Sequence, residues 1–391
     1  MATHTFYSTD AGAPTVTGQS GGILAMLRAV LVNGYNTHST GVSITRSGST
    51  ATVTRNSHGY RSGQIIQVSG AGEADYNGFF RITVTGADTF TYTVPNAPAS
   101  PATGTITIKV APAVVNGNAW TEDFTSGSIS VFRGPVGTKR RYFRFDDNST
   151  GTSNVRAFEA MTDINTGTGP FPTVAQLASG MFVGKSSTTD GTARPWIAVS
   201  NGSIIYIRVS LDSANQMFWM WFGDFVSERS GDEFNTILVA GRGSGLDQNN
   251  LFSGMQANAT VGTQQAYIPR PVNQIGSSLQ VVRYVDAAFT NAGVGSFEGS
   301  TMGSVGNIPF PAPANGGLYL VPVFIIESSS TYLSPPRGIA PGLWCPAHAK
   351  PLNDLDEYDG TGAFAGRRFK AFNANQNSSG QVFLEISDTW G

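Results

Sequence analysis

Between residues 41 and 110 apolar and polar positions alternate. Val42, Ile44, Ala51 and Val53 are separated by Ser, Thr and Arg, and the runs 65–68, 80–84, 90–94 and 106–110 repeat the same two-residue period between Gly, Asn, Asp or Pro. A period of two places every second side chain on one face of an extended strand, so the block predicts six short strands closed into a small sandwich or barrel. Residues 97–104 read as a loop and 111–113 as an exit linker.

A different period appears once, near the start. Residues 1–19 read as an extended arm. Ser20 then offers an N-cap and Gly34 a stop, and between them Ile23, Leu24, Leu27, Val30 and Leu31 fall on one helical face. Met26, Ala29 and Val32 widen the apolar surface, and Arg28 is the one charged residue. The pattern predicts a helix over 20–33 that must be covered on nearly every side, by the rest of the chain or by a neighbour. Ile23, Leu24, Leu27 and Leu31 are therefore candidate assembly contacts.

From 114 onward the period is again that of strands, predicted at 129–133, 141–145, 196–199, 204–209, 216–221, 236–240, 280–284, 318–327, 369–372 and 382–386, with a short helix at 173–179. The loops between them are long and rich in Gly, Ser and Asn. Without a strand–helix alternation, a doubly wound parallel sheet is not expected. The run Met217-Phe218-Trp219-Met220-Trp221-Phe222 has no polar face. It suits a strand buried on both faces, and less well a platform on which sugars stack. The expected fold is mainly β: an antiparallel sandwich or jelly-roll-like domain over 111–391, a small inserted β-domain over 41–110, and an arm and helix over 1–40.

Charged residues are 13% of the 391, about half the usual share, so the polar surface rests on Ser, Thr, Asn and Gln. The net charge is −2, and no long-range field attracts a nucleic acid. The basic runs Lys139-Arg140-Arg141 and Arg367-Arg368-Phe369-Lys370 suit a strand edge or local ion pairs. The single cysteine, Cys345, sits among apolar neighbours as an inert buried thiol. No signal peptide or membrane-spanning run is expected.

Few residues suggest chemistry. Gly180-Met181-Phe182-Val183-Gly184-Lys185-Ser186 is one residue short of a phosphate-binding loop. The histidines His4, His38, His58 and His348 are isolated. The acidic run 353–359, with Asp354, Asp356, Glu357 and Asp359, lacks the register of a calcium loop, though its carboxylates leave a calcium cup open beside a solvated acidic loop. Asp146, Asp147, Asp224, Asp232 and Glu233 are the carboxylates from which a hydrolytic pair would be drawn. The expectation is no catalytic site, no cofactor and no metal.

Several phrases, in order, resemble a family of tailed-bacteriophage virion structural proteins of the minor tail or baseplate type. They are Gly12-Ala13-Pro14-Thr15-Val16-Thr17-Gly18, Leu31-Val32-Asn33-Gly34-Tyr35, Ala119-Trp120-Thr121-Glu122-Asp123-Phe124 and Val131-Phe132-Arg133. The longest is Glu159-Ala160-Met161-Thr162-Asp163-Ile164-Asn165-Thr166-Gly167-Thr168-Gly169-Pro170-Phe171-Pro172. Lys185-Ser186-Ser187, Ala193-Arg194-Pro195-Trp196, Phe222-Gly223-Asp224, Arg337-Gly338-Ile339-Ala340-Pro341-Gly342-Leu343-Trp344 and Glu385-Ile386-Ser387-Asp388 with Trp390 follow. The 41–110 block separately looks like a β-module of phage tail proteins, on His58-Gly59-Tyr60, Gly63-Gln64, Val68-Ser69-Gly70 and Tyr76-Asn77-Gly78. The resemblance implies a non-enzymatic virion component that assembles with copies of itself and other virion proteins. A tail or baseplate position is favoured over a neck or capsid-decoration one. A module that binds a host receptor or carbohydrate is the alternative, and a polysaccharide or cell-wall hydrolase a more distant one.

Overall fold

The computed structural model describes residues 2–212, 217–241, 266–284, 309–328, 333–348, 351–373, 381–387 and 390. The expected strand start at Gln216 and the phrase residue Asp388 lie outside them. The described chain is mainly β, in antiparallel sheets with one short helix.

The largest sheet has thirteen described strands. It begins at His4–Tyr7, where the extended arm forms an edge strand of the chain's own sheet, paired with Trp196–Ser200. Ile204–Ser210, Met217–Asp224, Thr236–Val239, Ala266–Ile268, Leu279–Tyr284, Leu320–Ser328 and Leu333–Pro346 follow in chain order. Gln381–Glu385, Arg368–Asn373 and Glu357–Asp359 close the series, and the thirteenth, Val226–Ser227, pairs with Leu333–Pro346 off this path. Most neighbours in the sheet are neighbours in the chain, which is the order of an antiparallel meander.

The sheet folds over on itself. Trp219 packs edge-on against Phe372 with ring centroids 5.2 Å apart. The Tyr206 hydroxyl donates to the Pro341 carbonyl at 2.9 Å, and Arg208 holds Asp354 through two bonds of 2.8 and 2.6 Å. The early strands therefore have a second face, and a six-stranded sheet covers it: Thr121–Ser126, Ile129–Arg133, Tyr142–Asp146, Thr152–Met161, Gly167–Phe171 and Met181–Gly184. Ile205, Ile207, Val209, Phe218, Met220 and Phe222 share a core with that sheet's Phe132, Phe143 and Phe145. Ile204, Tyr206, Trp219 and Trp221 point the other way, into the core with Leu343, Phe372 and Val382. The two-residue alternation survives inside an all-apolar run because each face meets a different core. Each such side chain contributes about 1.5–3 kcal/mol by leaving water.

Residues 35–110 build two four-stranded sheets. One orders Tyr35–His38, Gly104–Val110, Ile65–Ala71 and Gly78–Arg81, the other Ser43–Ser47, Thr50–Thr54, Thr89–Thr93 and Thr83–Val84. Phe80 of the first stacks on Tyr92 of the second at 4.2 Å. The pairing starts at Tyr35, opposite Val110.

The helix is shorter than the expected 20–33. It runs Leu24–Arg28 as an α-helix and continues through Ala29–Asn33 as a π-helix. Ser20 does not cap it; its hydroxyl donates to the Asp147 carbonyl at 3.1 Å. The cap comes from across the chain, where the Asp147 carboxylate accepts the Ile23 N–H at 3.0 Å. The Val30 and Leu31 carbonyls accept the Ala113 and Trp120 amides at 2.8 and 3.1 Å. Gly34 stops the helix at φ 69°, where an added Cβ would run into the Val110 carbonyl oxygen. The four candidate contacts Ile23, Leu24, Leu27 and Leu31 are at most 1% exposed within the single chain. Their cover within this chain comes from the chain itself. Residues 173–179 form two successive turns rather than a helix. There the Thr173 and Gln176 side chains bond each other's amides at 2.7 and 3.2 Å.

One buried group makes the fold acid-sensitive. His4 is 2% exposed, and neither of its ring nitrogens has a hydrogen-bond partner among the described residues. Burial, with the nearby Arg81 charge, pulls the imidazole down to about 3. The unfolded chain therefore takes up the proton first, at about 6.5. The stability is whole above that value and is lost as pH falls toward 3, at about 1.4 kcal/mol per pH unit. His4→Gln is expected to remove this part of the loss. Urea melts at pH 7 and pH 4.5 should show a smaller drop for the variant, and equal drops would rule His4 out as the cause.

Candidate functional site

Two grooves collect polar side chains from distant parts of the chain. The first, of about 410 Å³, lies where the edges of the folded-over sheet approach each other beside the 35–110 sheets. Thr5 and Tyr7 come from one edge strand and Glu357 from the other. Arg61 and Arg81 reach in from the 35–110 block, and Arg367 and Arg368 from the C-terminal strands.

Two of these cations, Arg61 and Arg367, are held from behind by buried carboxylates. Asp10, with a side chain 5% exposed, accepts Arg61 Nε at 2.8 Å, the Tyr35 hydroxyl at 2.7 Å and the Tyr7 N–H at 3.1 Å. The Arg61 guanidinium stacks over the Tyr7 ring at 4.4 Å, and Lys370 Nζ lies 5.3 Å from the same ring. Fully buried Glu385 fixes Arg367, which also stacks on Trp344 at 4.6 Å. Arg368 is 55% exposed and pairs with Glu357 at 2.9 Å and Asp359 at 3.4 Å. Arg61 and Arg81 also donate to the Thr5 and Thr3 carbonyls at 2.5 and 2.8 Å. They cap the open side of the edge strand, which would otherwise offer a template for another strand.

The second groove, of about 470 Å³, is lined by Asp224, Asp232, Lys139, Arg229, Asn201 and Ser203 among others. Of the carboxylates singled out in the sequence, Asp224 and Asp232 meet here. Their environments differ. Burial pushes the Asp224 carboxyl up, against hydrogen bonds from the Thr236 hydroxyl and the Lys139 N–H at 2.6 and 2.7 Å. Burial also works to raise Asp232, but the Arg337 guanidinium, with the Ser227 hydroxyl and Phe234 N–H, outweighs it and holds the carboxyl low. Arg337 takes both Asp232 oxygens at 2.9 Å. Both carboxylates already bond the protein through both oxygens, which suits a structural clamp better than an acid and base that must reach a substrate.

The remaining candidates lie apart. Glu233 is exposed and pairs with Lys139 at 3.2 Å, and Asp146 faces Arg144 at 3.4 Å. Asp147 and Lys185 form an ion pair with no exposed surface. Burial drives the Asp147 carboxyl up to about 6, against the hydrogen bonds from Lys185 and Ile23. The lysine of the loop-like sequence is thus spent inside the protein, where it also donates to the Gln19 and Ser149 carbonyls at 2.6 and 2.9 Å. The acidic run 353–359 is divided among cations: Asp354 on Arg208, Glu357 on Arg368 and Lys370, and Asp359 on Arg368. Asp356 accepts the Asn353 N–H at 3.0 Å. Among the described residues no group of three or more His, Cys, Asp or Glu is placed to hold a metal. Cys345 is buried, and no described helix is long and apolar enough to cross a membrane. The arginine groove was not anticipated. Its one sequence signal was the 367–370 basic run, and the other cations are hundreds of residues away in the chain.

No family model matches the sequence, and no curated protein matches it. Among solved structures it is similar to the phage phi92 endosialidase, at 16% identity and a TM-score of 0.16, over 62% of this chain and 42% of that one. The chain thus spans less than half of that protein, and a score of this size establishes neither a shared fold nor a shared activity.

Proposed function

We propose that the chain is a non-enzymatic structural component of a tailed-phage virion, in the tail or baseplate, assembling with copies of itself and with other virion proteins. The observation that carries this reading is the ordered series of family-like phrases, from 12–18 to 385–390, which spans most of the chain outside the 41–110 block. Its placement in the fold supports it. The phrase residues Trp120, Phe132, Trp196 and Phe222 are core residues, so the resemblance follows the framework of the fold and not a surface patch. The burial of Phe218–Phe222 on both faces speaks against that run as a sugar-stacking platform.

Two measurements test the proposal. Labelled antibody to this chain is expected to decorate intact particles at the tail, and purified particles free of the chain would end the reading. The purified protein is expected to release no product from peptidoglycan, capsular polysaccharide or nucleotide. Turnover abolished by Asp224→Asn or Asp232→Asn would show instead that the second groove is catalytic.

A further inference from the structure

We infer that the arginine groove between the 35–110 sheets and the C-terminal strands binds an anionic sugar, one carrying a carboxylate or a phosphate. The inference stands apart from the position of the chain in a particle. The chain is sparsely charged and carries a net charge of −2, yet this groove collects Arg61, Arg81, Arg367 and Arg368 against one lining carboxylate, Glu357.

The way these cations are held matters more than their number. The carboxylates of Asp10 and Glu385 are 5% and 0% exposed, whereas their partners Arg61 and Arg367 keep 34% and 24% of the side chain accessible. The acids sit behind and the guanidinium groups face the groove. Stacking on Tyr7 and Trp344 fixes their planes further. A planar guanidinium held in this way meets a carboxylate or phosphate without first losing rotamer freedom. Arg368 is the most exposed member, with 55% of its side chain accessible. Its pairs with Glu357 and Asp359 are solvent-exposed, and such pairs are weak enough to be exchanged for a ligand's anion.

Size and lining select a sugar over a bare ion. The volume, about 410 Å³, falls in the range of small-molecule sites and exceeds what a single phosphate fills. Ser62 and Ser387 line it with hydroxyls, and Tyr7 with an aromatic ring.

The test is calorimetric titration of the full chain with glucuronate and glucose 6-phosphate, using glucose, inorganic phosphate and a hexaglutamate peptide as comparisons. Both acidic sugars are expected to bind, more weakly as salt rises, and glucose is not. Arg368→Glu is expected to lower their affinity at least about tenfold with an unchanged melting temperature. Arg368→Gln serves if the charge reversal misfolds. No binding of either sugar at about 10 mM would overturn the inference, as would binding untouched by both Arg368 variants. Inorganic phosphate binding as tightly as the sugar phosphate would refute sugar recognition. Tighter binding of hexaglutamate would replace the sugar with an acidic protein segment.

Discussion

Lys185→Met is expected to destabilise the chain by about 3–5 kcal/mol, the cost of leaving one charge of a buried pair without its partner. Neither Lys185 nor Asp147 exposes any side-chain surface. The ammonium ties the Gln19 carbonyl of the arm to the 147–149 loop, where it bonds the Asp147 carboxylate and the Ser149 carbonyl. Asp147 in turn caps the helix through the Ile23 amide. With the lysine gone, burial that already lifts Asp147 to about 6 acts unopposed by the ammonium, and the carboxyl takes up a proton or the site admits water. The double variant Lys185→Met with Asp147→Asn keeps a neutral side-chain acceptor for Ile23. It is expected to lose less than the two single losses added together. Denaturant melts of the four proteins measure the coupling. A single Lys185→Met loss below about 0.5 kcal/mol would mean that the pair contributes no more than an exposed one.

Leu27→Asp is expected to keep the isolated chain from folding, and Leu27→Ala to cost about 2–5 kcal/mol. Leu27 has no exposed surface and belongs to the core that holds Phe132, Phe145 and Phe222. An aspartate there would place an unpaired carboxylate among aromatic rings. Circular dichroism and thermal melts of the isolated chain distinguish core from interface. A folded Leu27→Asp chain that melts near the parent but fails to enter particles would make the helix an assembly element.

The sequence carried the class of the fold wherever burial is periodic. Within 41–110, strands such as Thr50–Thr54 and Thr89–Thr93 were legible because one face of each is wetter than the other, so the two-residue alternation shows directly. The strand Tyr35–His38 was not, since it joins the sheet through backbone pairing with Gly104–Val110, which leaves little mark on side-chain type. The helix was legible from its apolar stripe, but its cap was misread. Ser20 has the right side chain for a cap, and the donor it would have satisfied is taken by a carboxylate 124 residues away. The 173–179 segment shows the reverse error, a local pattern that closes two successive turns and goes no further.

Local rules thus determined what this protein is made of: short antiparallel strands, one covered helix, a run from 217 to 222 with no face for water, and a shortage of charge that leaves few cations to distribute. Tertiary structure alone decided where those cations stand. Arg61, Arg81, Arg367 and Arg368 come together because a meander of thirteen described strands folds over and brings its two edges to one groove. It likewise decided that Lys185 meets Asp147 inside the core and not a phosphate at the surface. Periodicity records the burial of each residue against water, a local quantity. Which distant residue supplies the opposite charge depends on how sheets stack, and that arrangement leaves no spacing in the sequence to read.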